Sequence, residues 1–253
     1  ERLPIQVHPD KAAAKALFGS DYGKTEAWCI LGGRTINGEE PYILLGFKED
    51  VDTPRLRALF DAQDIGAMEA LMHKVPVKAG EVYLITGGTP HAIGPGCFLL
   101  EIQEPTDYTI SLEKCNTLGE KLPDFLCHQG LGFEKMFDCF NYINYSRDEL
   151  LNAFCLAPVT TQACDSHTTE SLLSYNDTPC FALNRLTVRT SMPYAGKGSP
   201  CALAVISGAG KLAGMAVRAG DCFFVSAATE SFLIESAEGE PLTLLECLPP
   251  LKK

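Results

Sequence analysis

The feature that most constrains the fold is a series of short apolar runs separated by glycine and proline. Between residues 75 and 112 these runs alternate with turn signals at Ala79-Gly80 and Gly87-Gly88. A comparable pattern resumes at residues 180–190 and continues to residue 247. Short strands that are evenly separated by turn residues are typical of jelly rolls and barrels. The sequence therefore predicts an all-β fold.

The two stretches of β pattern share one local phrase. KAGEVY at residues 78–83 resembles RAGDCF at residues 218–223. A local repeat of this kind suggests two copies of one β-roll. We therefore expect two jelly-roll units, at residues 1–160 and 175–253. The segment between them, residues 160–174, is rich in Thr, Ser and acidic residues and is interpreted as a linker or extended connection.

One segment of the first unit has a helical pattern instead. Thr53 is a plausible helix cap, Pro54 suits the first helical position, and apolar residues follow at helical spacing. Asp64 is a plausible cap for a second helix. The sequence therefore predicts a small helical insertion near residues 53–73.

Composition excludes some classes of partner. The 253-residue chain is 46% hydrophobic, enough to bury a core, and its formal net charge is −11. An acidic surface repels nucleic-acid phosphates and anionic lipids, so we expect neither a nucleic-acid nor a membrane partner. A small anionic substrate would need a local cluster of lysine or arginine.

Cysteine usage indicates a reducing compartment. The 11 cysteines are scattered singly without a CxxC motif, so neither a thiolate zinc site nor a redox motif is predicted. We interpret them as small buried residues of a cytoplasmic protein. No segment has the pattern of a signal peptide. The chain opens abruptly at Glu1-Arg2, so we expect a fragment of a longer protein.

A candidate metal site lies in the first unit. Gln6 and His8 alternate along one strand and therefore share a face. Glu26 begins another strand, and His91 follows a tight turn. Two imidazoles, a carboxylate and an amide oxygen suit zinc with one position open to substrate. Spacing alone leaves hydrogen-bonded or surface histidines as an equally good interpretation. The second unit has no histidine after His167.

Three phrases around these residues favour the metal-site interpretation. They are IQVHP at residues 5–9, GKTEAW at residues 23–28 and GTPHAI at residues 88–93. In this order they resemble three signatures of the type I mannose-6-phosphate isomerase family, which are zinc-dependent cupins. The resemblance covers essentially the whole chain. It implies a double cupin, with the catalytic site in the first unit and a metal-free second unit.

The resemblance implies a role for each matching residue. Gln6, His8, Glu26 and His91 match the family's zinc ligands. The family interconverts mannose 6-phosphate and fructose 6-phosphate, which moves a proton between C1 and C2 through a cis-enediol. We expect the metal to polarise a substrate oxygen.

Two further residues match the family's active site. Lys24 matches a lysine there, and we expect it to meet the substrate phosphate or a hydroxyl. Glu101 matches an acidic residue, and it is our hypothesis for the proton-transfer base. Burial would raise the pKa of Glu101 and the metal would lower it.

One position departs from the family pattern. Family members have an arginine where this chain has Ser111, and a hydroxyl cannot supply that positive charge. Arg34 and Lys48 are candidates to compensate. The alternative function is therefore a catalytically impaired, sugar-phosphate-binding cupin. A third interpretation is an iron-dependent cupin such as a dioxygenase, but two histidines with Gln and Glu favour redox-inert zinc.

Overall fold

The computed structural model describes residues 1–116 and 118–251 and divides into two compact units, Glu1–Cys155 and Leu156–Lys253. Both units are built mainly from antiparallel strands. The predicted all-β, double-cupin fold with a small helical insertion is confirmed. Among the described helices, none is long and apolar enough to cross a membrane.

The first unit contains eight short strands and a ninth at its boundary. The strands are β1 Gln6–Val7, β2 Glu26–Gly33, β3 Tyr42–Phe47, β4 Met72–Pro76, β5 Val82–Ile85, β6 His91–Ile93, β7 Cys97–Gln103, β8 Ile110–Ser111 and β9 Cys155–Leu156. They form one sheet in the order β4-β3-β6-β1-β8 and another in the order β7-β2-β5-β9. The helices are α1 Lys11–Phe18, α2 Thr53–Ala62, α3 Ile65–Ala70, α4 Asp124–His128, α5 Gly132–Lys135, a 3-10 helix Met136–Cys139, and α6 Arg147–Phe154.

The sheet that contains β1 and β6 has two differently covered faces. Its inner face carries Leu45, which packs with Trp28 and Tyr83 of the other sheet. Its outer face carries Leu44 and Ala92, which belong to a second core cluster with the side chains of α2, α3 and the 3-10 helix. The helices therefore close the outside of this sheet, and the space between the two sheets forms the interior of the β-roll.

The first helix of the insertion has its N-cap one residue earlier than predicted. Asp52, rather than Thr53, is the N-cap of α2, and its carboxylate accepts a hydrogen bond from the Arg55 amide at 2.9 Å. Asp64 caps α3 as predicted, accepting from the Ala67 amide at 3.0 Å. A carboxylate satisfies the free amides of a first helical turn, which explains both starts.

The second unit is entirely β among its described residues. Its strands are β10 Val159–Ala163, β11 His167–Leu173, β12 Ala182–Val188, β13 Ser191–Ala195, β14 Cys201–Ser207, β15 Ala209–Leu212, β16 Met215–Arg218, β17 Cys222–Val225, β18 Ser231–Ser236 and β19 Leu242–Leu248. They form sheets in the orders β10-β11-β12-β19-β14-β17 and β13-β18-β15-β16. A single core cluster lies between these sheets.

The interpretation of residues 160–174 as a linker is wrong. This segment forms most of β10 and β11, which pair antiparallel, and β11 continues the sheet onto β12. Its many threonines favour strands because they are β-branched. Its polarity matches its position, since every residue of β10 is exposed at the sheet edge.

The two units repeat one pairing scheme. In the first, β2 pairs with β5 and β7, and β3 pairs with β4 and β6. In the second, β14 pairs with β17 and β19, and β15 pairs with β16 and β18. The strand that precedes this set also matches, because β1 pairs with β6 in the first unit and β13 pairs with β18 in the second. The repeat suggested by the KAGEVY and RAGDCF phrases is therefore confirmed.

Candidate metal centre and active site

Three buried side chains meet between the two sheets of the first unit. One ligand atom from each of His8, Glu26 and His91 lies within 4.8 Å of the others. His8 follows β1 and His91 begins β6, whereas Glu26 begins β2 of the opposite sheet. All three are at most 1% exposed. Polar groups buried this deeply in a β-roll need a shared partner or bound ion to offset their lost hydration.

Glycines bring these segments close together. A Cβ atom at Gly23 would lie 2.8 Å from the Pro9 carbonyl oxygen, and one at Gly87 would lie 2.5 Å from the Asp10 Cα. Gly88 has a φ of +87°, and its amide donates to the His8 carbonyl at 2.7 Å. The loops before β2 and β6 can therefore pack directly on the backbone that follows His8.

Backbone carbonyls orient both imidazoles. His8 Nδ1 lies 2.9 Å from the Tyr108 carbonyl oxygen, and His91 Nδ1 lies 2.9 Å from the Thr89 carbonyl oxygen. A carbonyl can only accept, so each Nδ1 donates a hydrogen bond, and a neutral ring in this orientation presents its lone pair at Nε2. The two Nε2 atoms lie 3.1 and 3.4 Å from the Glu26 carboxylate. This is the orientation in which histidine commonly binds a metal.

Gln6 brings a fourth polar group to the cluster. It is paired with His91 in the β1–β6 ladder, and its carboxamide nitrogen lies 3.3 Å from His91 Nε2. A carboxamide can present either its oxygen or its nitrogen, so rotation of this group would offer an oxygen ligand.

The charge states of the cluster suit a divalent cation. Burial raises the pKa of Glu26, but His8, His91 and Lys24 outweigh that effect and hold it well below its usual range. Burial lowers the pKa of His91 to about 4, so this imidazole is neutral at pH 7. Glu26 Oε1 is buried and has no hydrogen-bond partner among the described residues. An ionised carboxylate with a free oxygen and the neutral His91 imidazole are donors that fit zinc.

Lys24 lies against the same cluster. Its ammonium is 3.0 Å from His8 Nε2 and 3.0 Å from Glu26 Oε2, and its side chain is 8% exposed. The loop that holds it is fixed at both sides, because the Lys24 amide donates to the Pro9 carbonyl and the Thr25 amide donates to Glu104 Oε2. Lys24 therefore lies where it can contact a molecule bound at the candidate metal centre.

Glu101 lies on the sheet face that carries Glu26. It is paired with Trp28 across the β2–β7 ladder, and Glu26 is two residues from Trp28 on the same face. The Trp28 ring meets the His91 ring edge-on at 5.4 Å between centroids. Lost hydration and the charge of Glu26 raise the pKa of Glu101, opposed by Lys24 and His8. Glu101 itself is exposed, so it can reach a molecule in solution.

Ser111 also borders the cluster. It is paired with Gln6 in the β1–β8 ladder and is 6% exposed. Its hydroxyl donates to the Glu113 carbonyl at 3.0 Å. Within the described residues, Lys24 is the cation that contacts the cluster, whereas Arg34 and Lys48 line separate surface pockets. The structure therefore brings neither proposed compensating residue to this position.

Sequence reasoning missed the groups that orient the ligands. These are the carbonyls of Thr89 and Tyr108 and the ring of Trp28. Thr89 and Trp28 lie inside the GTPHAI and GKTEAW phrases, so those phrases carried the signal. Tyr108 lies in an irregular segment after β7 and gave no signal.

The fold and the cluster together define a two-unit β-roll protein with a candidate metal centre. Over nearly its whole length the chain has the fold of solved isomerases. It matches the mannose 6-phosphate isomerase of Bacillus subtilis with a TM-score of 0.74 and 21% identity, covering 98% of this chain and 71% of that one. It matches a lysine-to-alanine mutant of phosphomannose isomerase from Salmonella typhimurium with a TM-score of 0.69 and 15% identity, covering 99% and 77%.

Curated relatives point to the same family. The mannose-6-phosphate isomerase of Streptococcus mutans is 37% identical over 107 residues, which is 42% of this chain and 31% of that protein. Mannose-6-phosphate isomerase ManA of Bacillus subtilis is 32% identical over 114 residues, or 44% and 32%. The matched stretch thus spans about a third of each relative's length. No protein-family model matches the chain. The resemblance to mannose-6-phosphate isomerases is confirmed by these relatives.

Proposed function

We propose that this chain carries the active site of a mannose-6-phosphate isomerase, which interconverts mannose 6-phosphate and fructose 6-phosphate. The observation that carries the proposal is the buried cluster of His8, Glu26 and His91, built by the phrases that resemble the family's signatures. A coupled assay of mannose 6-phosphate conversion tests it on the zinc-loaded protein. Turnover that a chelator abolishes would support the proposal.

Zinc is the metal proposed for this centre, held by Gln6, His8, Glu26 and His91. The Glu26 Oε1 atom, which has no hydrogen-bond partner among the described residues, and the two Nε2 atoms that face the Glu26 carboxylate support this assignment. Bound zinc would supply Lewis acidity toward a substrate oxygen. Metal analysis of the purified protein tests the assignment, and bound iron in place of zinc would favour oxygen chemistry instead.

Glu101 is proposed to move the proton between C1 and C2. Its raised pKa brings it closer to the range in which a carboxylate can both accept and return a proton near neutral pH. Its exposure on the face that carries Glu26 lets substrate approach both groups. Lys24 is proposed to orient the substrate through its phosphate or a hydroxyl, because its ammonium already lies at the cluster.

The Glu101→Gln variant is expected to lose turnover by about 10²- to 10⁴-fold, the usual contribution of a general base. Zinc content should be unchanged, because Glu101 is not among the proposed zinc ligands. Coupled kinetics and metal analysis measure the two effects. Glu238→Gln makes the same exchange at an exposed position of the second unit, and this control should keep most activity. Unchanged turnover in Glu101→Gln would reject this assignment.

Ser111 favours a second candidate, a protein that binds zinc and a sugar phosphate without turnover. Its buried hydroxyl faces Gln6 and supplies no positive charge. If the zinc-loaded protein binds mannose 6-phosphate but does not convert it, this candidate is favoured. Ser111→Arg is then the variant to assay, and gained turnover would trace the defect to this position.

The expected partner is a small sugar phosphate. The net charge of −11 supports a small molecule over nucleic acid or a membrane surface. A reducing, cytoplasmic setting is proposed from the cysteine pattern, because the 11 cysteines are scattered singly without a CxxC motif.

A further inference from the structure

A second pocket lies on the outer side of the first unit, away from the buried cluster. Its volume is about 530 Å³, within the range of small-ligand sites. Apolar side chains of β3 and β4, Tyr42, Leu44 and Met72, form part of its lining. None of the proposed zinc ligands, nor Lys24 or Glu101, lines it.

Cations dominate the polar part of this pocket. Lys48, Lys74 and Arg147 all line it and all are exposed. The one lining carboxylate, Glu69, is already paired with Arg2 at 2.7 Å. The pocket therefore collects positive charge on a chain whose formal net charge is −11.

Two of these cations, Lys48 and Arg147, have no carboxylate partner among the described residues. Lys74 is paired with Glu39, and its ammonium lies 3.9 Å from the Tyr42 ring centroid. Arg147 donates to the Lys74 carbonyl at 3.1 Å, which holds its guanidinium beside another lining residue. Across residues 1–116 and 118–251, neither Lys48 nor Arg147 forms an ion pair. The pocket thus keeps about two uncompensated positive charges.

We propose that this pocket is a binding site for a small phosphomonoester with a ring or sugar body. Arg147 and Lys48 match a dianionic phosphate group, because guanidinium and ammonium groups form charge-assisted hydrogen bonds with its oxygens. The Tyr42 ring and the neighbouring aliphatic side chains provide a surface for the less polar part of the ligand. The site does not depend on the proposed isomerase activity, since it shares no residue with the zinc centre.

Calorimetric titration of the full chain tests the site, with glucose 6-phosphate, glucose and inorganic phosphate as probes. Chelator-treated protein is used, so that binding through zinc does not contribute. We expect glucose 6-phosphate to bind more tightly than inorganic phosphate, and glucose not to bind. Equal affinity for the two anions would overturn the assignment of a ring-bearing ligand, and no binding of either would overturn the site.

The Lys48→Ala/Arg147→Ala double variant should raise the Kd for glucose 6-phosphate by about tenfold or more, the effect of losing two charge-assisted contacts. Lys211→Ala/Arg218→Ala removes the same charges from exposed positions of the second unit and is the matched control. Its Kd should stay unchanged. An equal loss in both variants would mean that net charge alone causes the binding, and would overturn the proposal. A Lys24→Ala variant that loses binding would place the probe at the zinc centre and would also overturn it.

Discussion

The His91→Ala variant is expected to lose the zinc that we propose for this centre and about 10³-fold or more of the proposed mannose 6-phosphate turnover, because a metal centre supplies several kcal/mol of transition-state stabilisation. His91 is 0% exposed, and its Nε2 faces both Glu26 and Gln6. Alanine would remove one donor and leave the Glu26 carboxylate less compensated. Metal analysis and coupled kinetics on the same preparation measure the two losses.

Two controls separate metal loss from misfolding. His128→Ala removes a histidine that is only partly buried on α4 and should keep both zinc and activity. Far-UV circular dichroism of His91→Ala should match that of the chelator-treated parent, because we expect both to lack the metal and to keep the same strands and helices. Full zinc content in a folded His91→Ala protein would contradict the assignment of His91 as a ligand.

The candidate site could be predicted from sequence because its residues lie inside short local phrases. Gln6 and His8 alternate on one extended segment, which fixes their common face. What joined them to Glu26 and His91 was the resemblance, since no spacing rule places β2 opposite β1 and β6. The exposure of Glu101 and the donor roles of the imidazoles depend on long-range packing, and sequence could not supply them.

The fold was predictable where pattern and turn chemistry agreed. The strands separated by glycine-containing turns and the Asp64 cap have local causes, and both are observed. Residues 160–174 misled because their polarity suggested a linker, whereas an edge strand such as β10 tolerates polarity on both faces. The helices between residues 124 and 154 were missed because they are short, and their buried residues are stabilised by tertiary packing rather than by helix propensity.

The repeat places a second buried carboxylate in the other unit. In the first unit Trp28 pairs with Glu101, and in the second Leu203, at the matching position of β14, pairs with Glu246. Cys201 lies two residues before Leu203, just as Glu26 lies two residues before Trp28. Cys201 therefore occupies the position that corresponds to Glu26. The second unit thus keeps one acidic position of the repeat but has a cysteine in place of the proposed metal-binding glutamate.

Glu246 differs from Glu26 in how its oxygens are satisfied. Both are 1% exposed. The carboxylate of Glu246 accepts hydrogen bonds from Asn184 at 2.7 Å and from the Tyr194 hydroxyl, and it pairs with Lys197 at 2.7 Å. Glu26 Oε1, by contrast, has no hydrogen-bond partner among the described residues. A carboxylate whose oxygens are all satisfied by protein groups stabilises the fold, whereas one with a free oxygen can bind a metal.

The Glu246→Ala variant is therefore expected to lose about 2–4 kcal/mol of unfolding free energy while zinc content stays unchanged, because it breaks several hydrogen bonds to a charged group and opens a cavity in the second unit. The Glu26→Ala variant, by contrast, should lose zinc. Urea unfolding followed by circular dichroism measures the stability, and metal analysis measures the zinc. Glu246→Gln keeps the size of the side chain and one accepting oxygen, and it should cost less than Glu246→Ala. If Glu246→Ala lost zinc as fully as Glu26→Ala, the division of the two carboxylates into structural and metal-binding roles would be wrong.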